Sequence, residues 1–156
     1  MQGWMMHCAR RRDRHVIAAD PAAVRDLLIA LEQGPALAGL TGEERECTLL
    51  VLAEALNNVV EHGYGGGPGW IGLMPGPRHS GRDWRILDRS QSVPPEECLQ
   101  AEMPQDAAEG GFGWPLIRAL TEEVGLRRCV GFNVLTLQVR AEGTQAPCAA
   151  GMEGRG

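Results

Sequence analysis

The chain has 156 residues, 44% of them hydrophobic, which suits one domain with an apolar core and excludes a wholly disordered chain. Its formal charge of -5 argues against a role built on non-specific nucleic-acid binding, which needs a basic excess. All fifteen basic residues are arginine, so neither a P-loop lysine nor a Schiff-base amine is on offer.

The N-terminal stretch, residues 1–13, reads as a loose lead-in. Its apolar residues (Trp4, Met5, Met6) precede Arg10, Arg11 and Arg12, the wrong order for a secretory signal. His15 to Ala19 fits a first strand. Asp20 is an N-cap candidate with Pro21 at the first helical position. The apolar spacing of Val24, Leu27, Leu28 and Leu31 predicts a helix to about Gln33, ended by Gly34-Pro35. Thr41, with Glu44 three residues on, is a capping box. It opens a long helix from Gly42 to Glu61, stopped at Gly63 and the turn Gly65-Gly66-Gly67-Pro68. Trp70–Met74 and Trp84–Leu87 read as a hairpin around the loop Pro75–Gly81. Residues 89–113 are polar and broken by Pro and Gly, and read as a long loop with room for one helical turn, of the kind that forms a lid or is disordered. A helix over Pro115–Val124 follows. Leu126–Val130 and Asn133–Val139 make a final hairpin turning at Gly131-Phe132. Residues 141–156 read as a flexible tail.

This order predicts an α+β two-layer sandwich, with helices packed on one mixed, mostly antiparallel sheet. The five cysteines (Cys8, Cys47, Cys98, Cys129, Cys148) form no C-x-x-C pair, so neither a zinc site nor a disulfide framework is expected. They read as reduced thiols of a cytoplasmic protein. No stretch is long and apolar enough to cross a bilayer.

Two segments carry possible chemistry. Glu54, Asn58 and His62 stand four apart, in a row on one face of the second helix, with Leu49, Leu52, Leu56, Val59 and Val60 supplying the core face. A carboxylate there can orient or deprotonate a hydroxyl, and an amide oxygen is a hard ligand for Mg²⁺. The same stripe also fits a plain solvated face, although two adjacent asparagines, Asn57 and Asn58, are poor helix formers. Gly110-Gly111-Phe112-Gly113-Trp114-Pro115 leads directly into a helix. Glycines there let a backbone approach an anion at a helix N-terminus. An ordinary glycine-rich loop fits that stretch too.

Taken together, these segments resemble the anti-sigma-factor serine kinases, members of the histidine-kinase-like (Bergerat-type) ATPases. Ala53-Glu54-Ala55-Leu56-Asn57-Asn58-Val59-Val60-Glu61-His62-Gly63-Tyr64 resembles their N-box. Asp88 at a strand end resembles the aspartate that reads the adenine amino group. Gly111-Phe112-Gly113 resembles the second glycine box, and Leu116–Val124 the helix after it. The resemblance spans about residues 15–140, and makes 14–140 a histidine-kinase-like ATPase domain. It implies ATP/ADP and Mg²⁺ as cofactors. Glu54 would be the catalytic base toward a partner serine, and Asn58 the Mg²⁺ ligand. His62, Asp88, Gly111, Phe112 and Gly113 would complete the nucleotide site. The implied partners are a sigma factor, which is sequestered, and an anti-anti-sigma protein of the STAS fold, which is phosphorylated. A homodimer is implied as well, with no direct nucleic acid and no membrane.

The chain departs from the family pattern in two places. Ser90 and Ser92 replace the glycines of the first glycine box, which would cost conformational energy or create a clash if those positions need positive φ or close approach of the purine. Glu102, Asp106 and Glu109 line the expected lid, and no Arg occurs between Arg89 and Arg118 to offset them. Three readings therefore stay open: an ATP-dependent serine kinase, a partner-switching module of the same fold with nucleotide binding weakened or lost, and an unrelated α+β domain.

Overall fold

A computed structural model describes residues 14–100 and 113–143. The lead-in 1–13, the tail from 144, and Glu102, Asp106, Glu109, Gly111 and Phe112 lie outside the described residues.

Strand β1 (His15–Ala18) runs into α1 (Pro21–Gln33). The Asp20 carboxylate caps α1 by accepting from the Ala22 and Ala23 amides at 2.9 and 3.0 Å. Gly34 ends it, and only glycine fits there, since a Cβ would lie 2.9 Å from the Ala30 carbonyl oxygen. After a short 3-10 turn over Pro35–Leu37, α2 (Gly42–Asn58) begins with the capping box the sequence predicts. Thr41 Oγ1 accepts from the Glu44 amide, and Glu44 Oε2 accepts from the Thr41 amide, both at 3.2 Å.

The end of α2 differs from the expectation. The helix does not run on to Glu61; it widens after Asn58 into a π-helical turn, Val59–Gly63. The Tyr64 amide bonds back five residues to the Val59 carbonyl at 3.0 Å. Paired β-branched residues at 59 and 60 crowd a regular α turn, and the wider turn relieves them.

Strands β2 (Trp70–Pro75) and β3 (Asp83–Asp88) form the first hairpin. A single helical turn, α3 (Glu96–Leu99), interrupts the long loop. Helix α4 covers Gly113–Leu120, and β4 (Thr121–Cys129) and β5 (Phe132–Val139) complete the chain order. The last helix was expected over Pro115–Val124; instead residues 121–124 belong to β4. Thr121 is buried, and its Oγ1 donates to the Ile117 carbonyl at 2.7 Å, closing the last helical turn. Pairing of β4 along the whole of β5, from Thr121 opposite Val139 to Cys129 opposite Phe132, then outweighs the local helical pattern. A bulge between Thr121 and Glu123 absorbs the change of direction. The turn falls at Val130-Gly131, one residue earlier than expected, with Gly131 at φ 85°.

The sheet order is β1-β2-β3-β5-β4, and every neighbouring pair is antiparallel. The helices pack on it as an α+β two-layer sandwich. Ile71, Leu73, Trp84, Ile86, Leu135, Leu137 and Val139 line the inner sheet face, against Val24, Leu27 and Leu31 of α1, Val51, Leu52, Ala55 and Leu56 of α2, and Ile117 of α4. Period-two alternation carries Asp88 and Asn133 onto that same inner face, at the ends of β3 and β5, where they lie opposite each other in register. No helix among the described residues is long and apolar enough to cross a membrane.

Leu56 is fully buried, so Leu56→Ala should destabilise the fold by about 2–5 kcal/mol. Thr41→Ala should cost about 1 kcal/mol through the lost cap. Urea unfolding of both variants checks the two magnitudes and their order.

Candidate functional site

A cavity of about 360 Å³ opens between the C-terminal part of α2 and the inner sheet face. Ala55, Asn58, Val59, His62 and Gly63 form one wall. Asp88, Asn133, Leu126 and Leu135 form the sheet side, while the segment Ser90 to Pro95, Cys98 and Trp114 close it. A mostly apolar cavity with a few placed polar groups is the usual form of a small-molecule site.

Asp88 is 5% exposed and its two oxygens are treated differently. Oδ1 accepts from the Ser90 amide at 2.8 Å, from Ser90 Oγ at 2.6 Å and from Asn133 Nδ2 at 2.9 Å. No protein donor among the described residues reaches Oδ2. One end of the cavity therefore carries a carboxylate oxygen free to accept a hydrogen bond.

Ser90 is a partner of Asp88 rather than a strained substitute for glycine. Neither Ser90 nor Ser92 has positive φ; His79 is the non-glycine residue that does among those described. Nor does Ser90 clash, because its side chain occupies space that Gly63 leaves open. A Cβ on Gly63 would lie 2.9 Å from Ser90 Oγ. The strain expected of a serine at positive φ is therefore absent at both positions.

Tyr64 holds the same corner from behind. Its hydroxyl donates to the Trp70 carbonyl and accepts from the Arg89 amide, each at 2.9 Å. The ring lies where a Cβ on Gly69 would stand 2.2 Å from Cε1, so residue 69 must be glycine. The Arg89 guanidinium sits 6.0 Å from the centre of the Trp70 ring, in cation–π range. Arg89 is thus engaged away from the cavity and does not line it.

At the other end, Gly113 rests on the polar stripe of α2. A Cβ there would be 3.1 Å from Glu54 Oε2 and 3.4 and 3.5 Å from the two amide atoms of Asn58. The start of α4 therefore meets Glu54 and Asn58 side by side, while Asn58 and His62 continue along the cavity wall toward Asp88. Glu54 itself does not line the cavity. His62 is exposed at its rim. Of the residues singled out in the sequence, Asn58, His62 and Asp88 line one cavity, and Glu54 and Gly113 lie beside Asn58 without lining it; Gly111 and Phe112 lie outside the described residues.

Among the described residues the Asn58 amide nitrogen is buried without a hydrogen-bond partner. The amide oxygen accepts no hydrogen bond from a described residue and is not buried in the same way, so it is the amide atom available on the cavity side. Among the described residues no three His, Cys, Asp or Glu side chains cluster as a metal cage. One amide oxygen beside a cavity suits Mg²⁺, which keeps waters and takes phosphate oxygens rather than a full protein cage. The residues present therefore fit a nucleotide carrying Mg²⁺.

Two of the described thiols need little comment. Cys98 is free and lines the cavity, and Cys47 is free on α2. Burial pushes the Cys47 thiol up, helped by the charges of Glu43 and Glu46, which leaves it a poor nucleophile at neutral pH.

The sequence reading missed Asn133, Trp114, Cys98 and the Val93–Pro95 segment as cavity residues. For Asn133 a signal existed: it is the one polar residue in the inward-facing alternation Asn133, Leu135, Leu137, Val139. The others come from loops whose course no periodicity encodes.

The family profile of the histidine kinase-like ATPase domain matches residues 17–139, from β1 to the end of β5. The chain belongs to this family. Its fold is also similar to that in the crystal structure of the RsbU and RsbW domains of Rv1364c from Mycobacterium tuberculosis, with a TM-score of 0.50 at 19% identity. That likeness covers 81% of this chain and 32% of the other, and at this identity it speaks for the fold alone. No curated protein matches the chain.

Tyr64→Phe should leave the Arg89 amide and the Trp70 carbonyl short of a partner and cost about 1–3 kcal/mol. Thermal unfolding gives the size, and faster hydrogen exchange at Arg89 than in the unmodified chain would place the loss at this corner.

Proposed function

We propose that this chain is a cytoplasmic anti-sigma module of the serine-kinase type. It binds ATP with Mg²⁺, sequesters a sigma factor, and phosphorylates a serine of an anti-anti-sigma partner of the STAS fold, acting as a homodimer. The observation that supports this reading is a cavity with Asp88 and Asn58 on its wall, and Glu54 next to Asn58 against Gly113 just outside it. The match of Ala53 to Tyr64 to the N-box of that branch supports the anti-sigma assignment within the wider ATPase family.

In this reading each residue has one task. Asp88 Oδ2 accepts from the amino group of adenine, while Val59, Leu126 and Leu135 exclude water from the ring. Asn58 holds Mg²⁺ through its amide oxygen, and His62 stands at the rim of the nucleotide site. The glycine segment 111–113 leads into the N-terminus of α4, where backbone amides suit phosphate oxygens. Mg²⁺ supplies neutralisation of the phosphate charge, which phosphoryl transfer chiefly needs. Glu54 accepts the proton of the incoming serine hydroxyl as general base.

Calorimetric titration of Mg²⁺-ATP into the folded chain should show binding that Asn58→Ala weakens by at least about tenfold, since even residues that only orient a metal's ligands cost about 10–100-fold when lost. A folded protein that binds no ATP at millimolar concentration would move the function to nucleotide-independent partner switching. Glu54→Gln should lower phosphoryl transfer to the STAS partner by about 10²–10⁴-fold with partner affinity unchanged. Equal loss of transfer and of partner binding would instead mark Glu54 as a structural residue.

A further inference from the structure

We propose that Asn133 and Ser90 are positioning residues that set the cavity's preference for a purine bearing a 6-amino group, by occupying one oxygen of Asp88 and leaving the other as the free acceptor. This rests on the adenine-nucleotide reading of the cavity and adds to it the residues that impose its base selectivity.

The geometry around Asp88 is one-sided. Three donors converge on Oδ1 and none among the described residues on Oδ2. A carboxylate oxygen has about two lone-pair sites, so Oδ1 is fully used and cannot turn to a ligand without losing all three bonds. Asn133 supplies the most directed of these contacts. Its Nδ2 gives one hydrogen to Asp88 Oδ1 at 2.9 Å and lies 3.1 Å from the Ser90 carbonyl oxygen. Both partners are acceptors only, so the amide orientation is not ambiguous here. Asn133 is 2% exposed and paired in register with Asp88 across β3 and β5, so the sheet ladder itself holds the two side chains together.

Ser90 closes the arrangement. Its single hydroxyl proton lies between Asp88 Oδ1 at 2.6 Å and the Ser92 carbonyl at 2.9 Å, and its Cβ and Oγ fill the space beside Gly63. The carboxylate is thereby fixed in rotation. A fixed acceptor at the cavity end favours a base with a donor at position 6 and opposes one with a carbonyl there. An unfixed carboxylate could rotate or retreat and would discriminate less.

The test compares ATP, purine riboside triphosphate (which lacks the 6-amino group) and GTP, each with Mg²⁺, by calorimetry on the unmodified chain, Asn133→Ala and Ser90→Gly. The unmodified chain should bind ATP more tightly than either analogue. Asn133→Ala should lose about tenfold in ATP affinity, the scale of one hydrogen bond to a charged group, with much less change for purine riboside triphosphate. Ser90→Gly keeps the backbone donor and should narrow the preference by a smaller factor. It also covers the case in which Asn133→Ala fails to fold. A purely structural role would weaken ATP and purine riboside triphosphate alike and leave their ratio intact, which would overturn the inference. Binding of ATP by the unmodified chain with no preference over purine riboside triphosphate would overturn it too. An unmodified chain that binds none of the three overturns the adenine reading and this inference with it.

Discussion

Helix α2 has one apolar face to bury and packs against three neighbours at once: α1, α4 and strand β5 of the sheet. Val51, Leu52, Ala55 and Leu56 go into the core, and at 3.6 residues per turn this leaves Glu54 and Asn58 no choice but the edge facing α4 and the cavity. Their placement is a by-product of core packing. A rotation of the helix that moved Asn58 into solvent would also pull Leu52 and Leu56 from the sheet. The polar stripe therefore inherits the rigidity of the core, which a metal-holding or proton-accepting group requires if it is to stay in place.

The widening of α2 at Val59 serves the same end. A π turn shifts the residues that follow it relative to a regular helix, and His62 and Gly63 come to the cavity rim. Gly63 then meets Ser90 side chain to backbone, which ties the end of the helix to the end of β3. Tyr64 adds a second tie through Trp70 and Arg89. The helix layer and the sheet are thus joined beside the cavity.

Burying Asp88 is costly unless the carboxylate is hydrogen-bonded, since a desolvated charge is penalised by several kcal/mol. Three donors on one oxygen offset that penalty, and the same three donors hold the other oxygen toward the cavity. In the proposed nucleotide site, stability and recognition would draw on one arrangement. The Ser90 hydroxyl joins the bonds that make the buried carboxylate tolerable.

Much of this was legible in the amino acids. Asp20, Pro21, Thr41 and Glu44 mark helix starts because caps are local chemistry, and α1 has the expected bounds. The spacing of Glu54, Asn58 and His62 placed them on one face, because helical periodicity is a property of the chain alone. The α+β sandwich followed from element order. Residues 121–124 did not follow, because the continuation of the helix expected there yields to strand pairing, in eight register pairs, with a partner further along the chain. Ser90 was read as a cost because its value lies in Asp88, Gly63 and Asn133, one of them 43 residues away. The sequence by itself determined the helix caps, the polar stripe and the strand-end carboxylate, all set by interactions within a few residues. Only the tertiary structure decided that Asp88 presents a single free oxygen, that Asn133 belongs to the site and that Gly113 meets Glu54 and Asn58, because each depends on groups from distant segments brought together by the shared core.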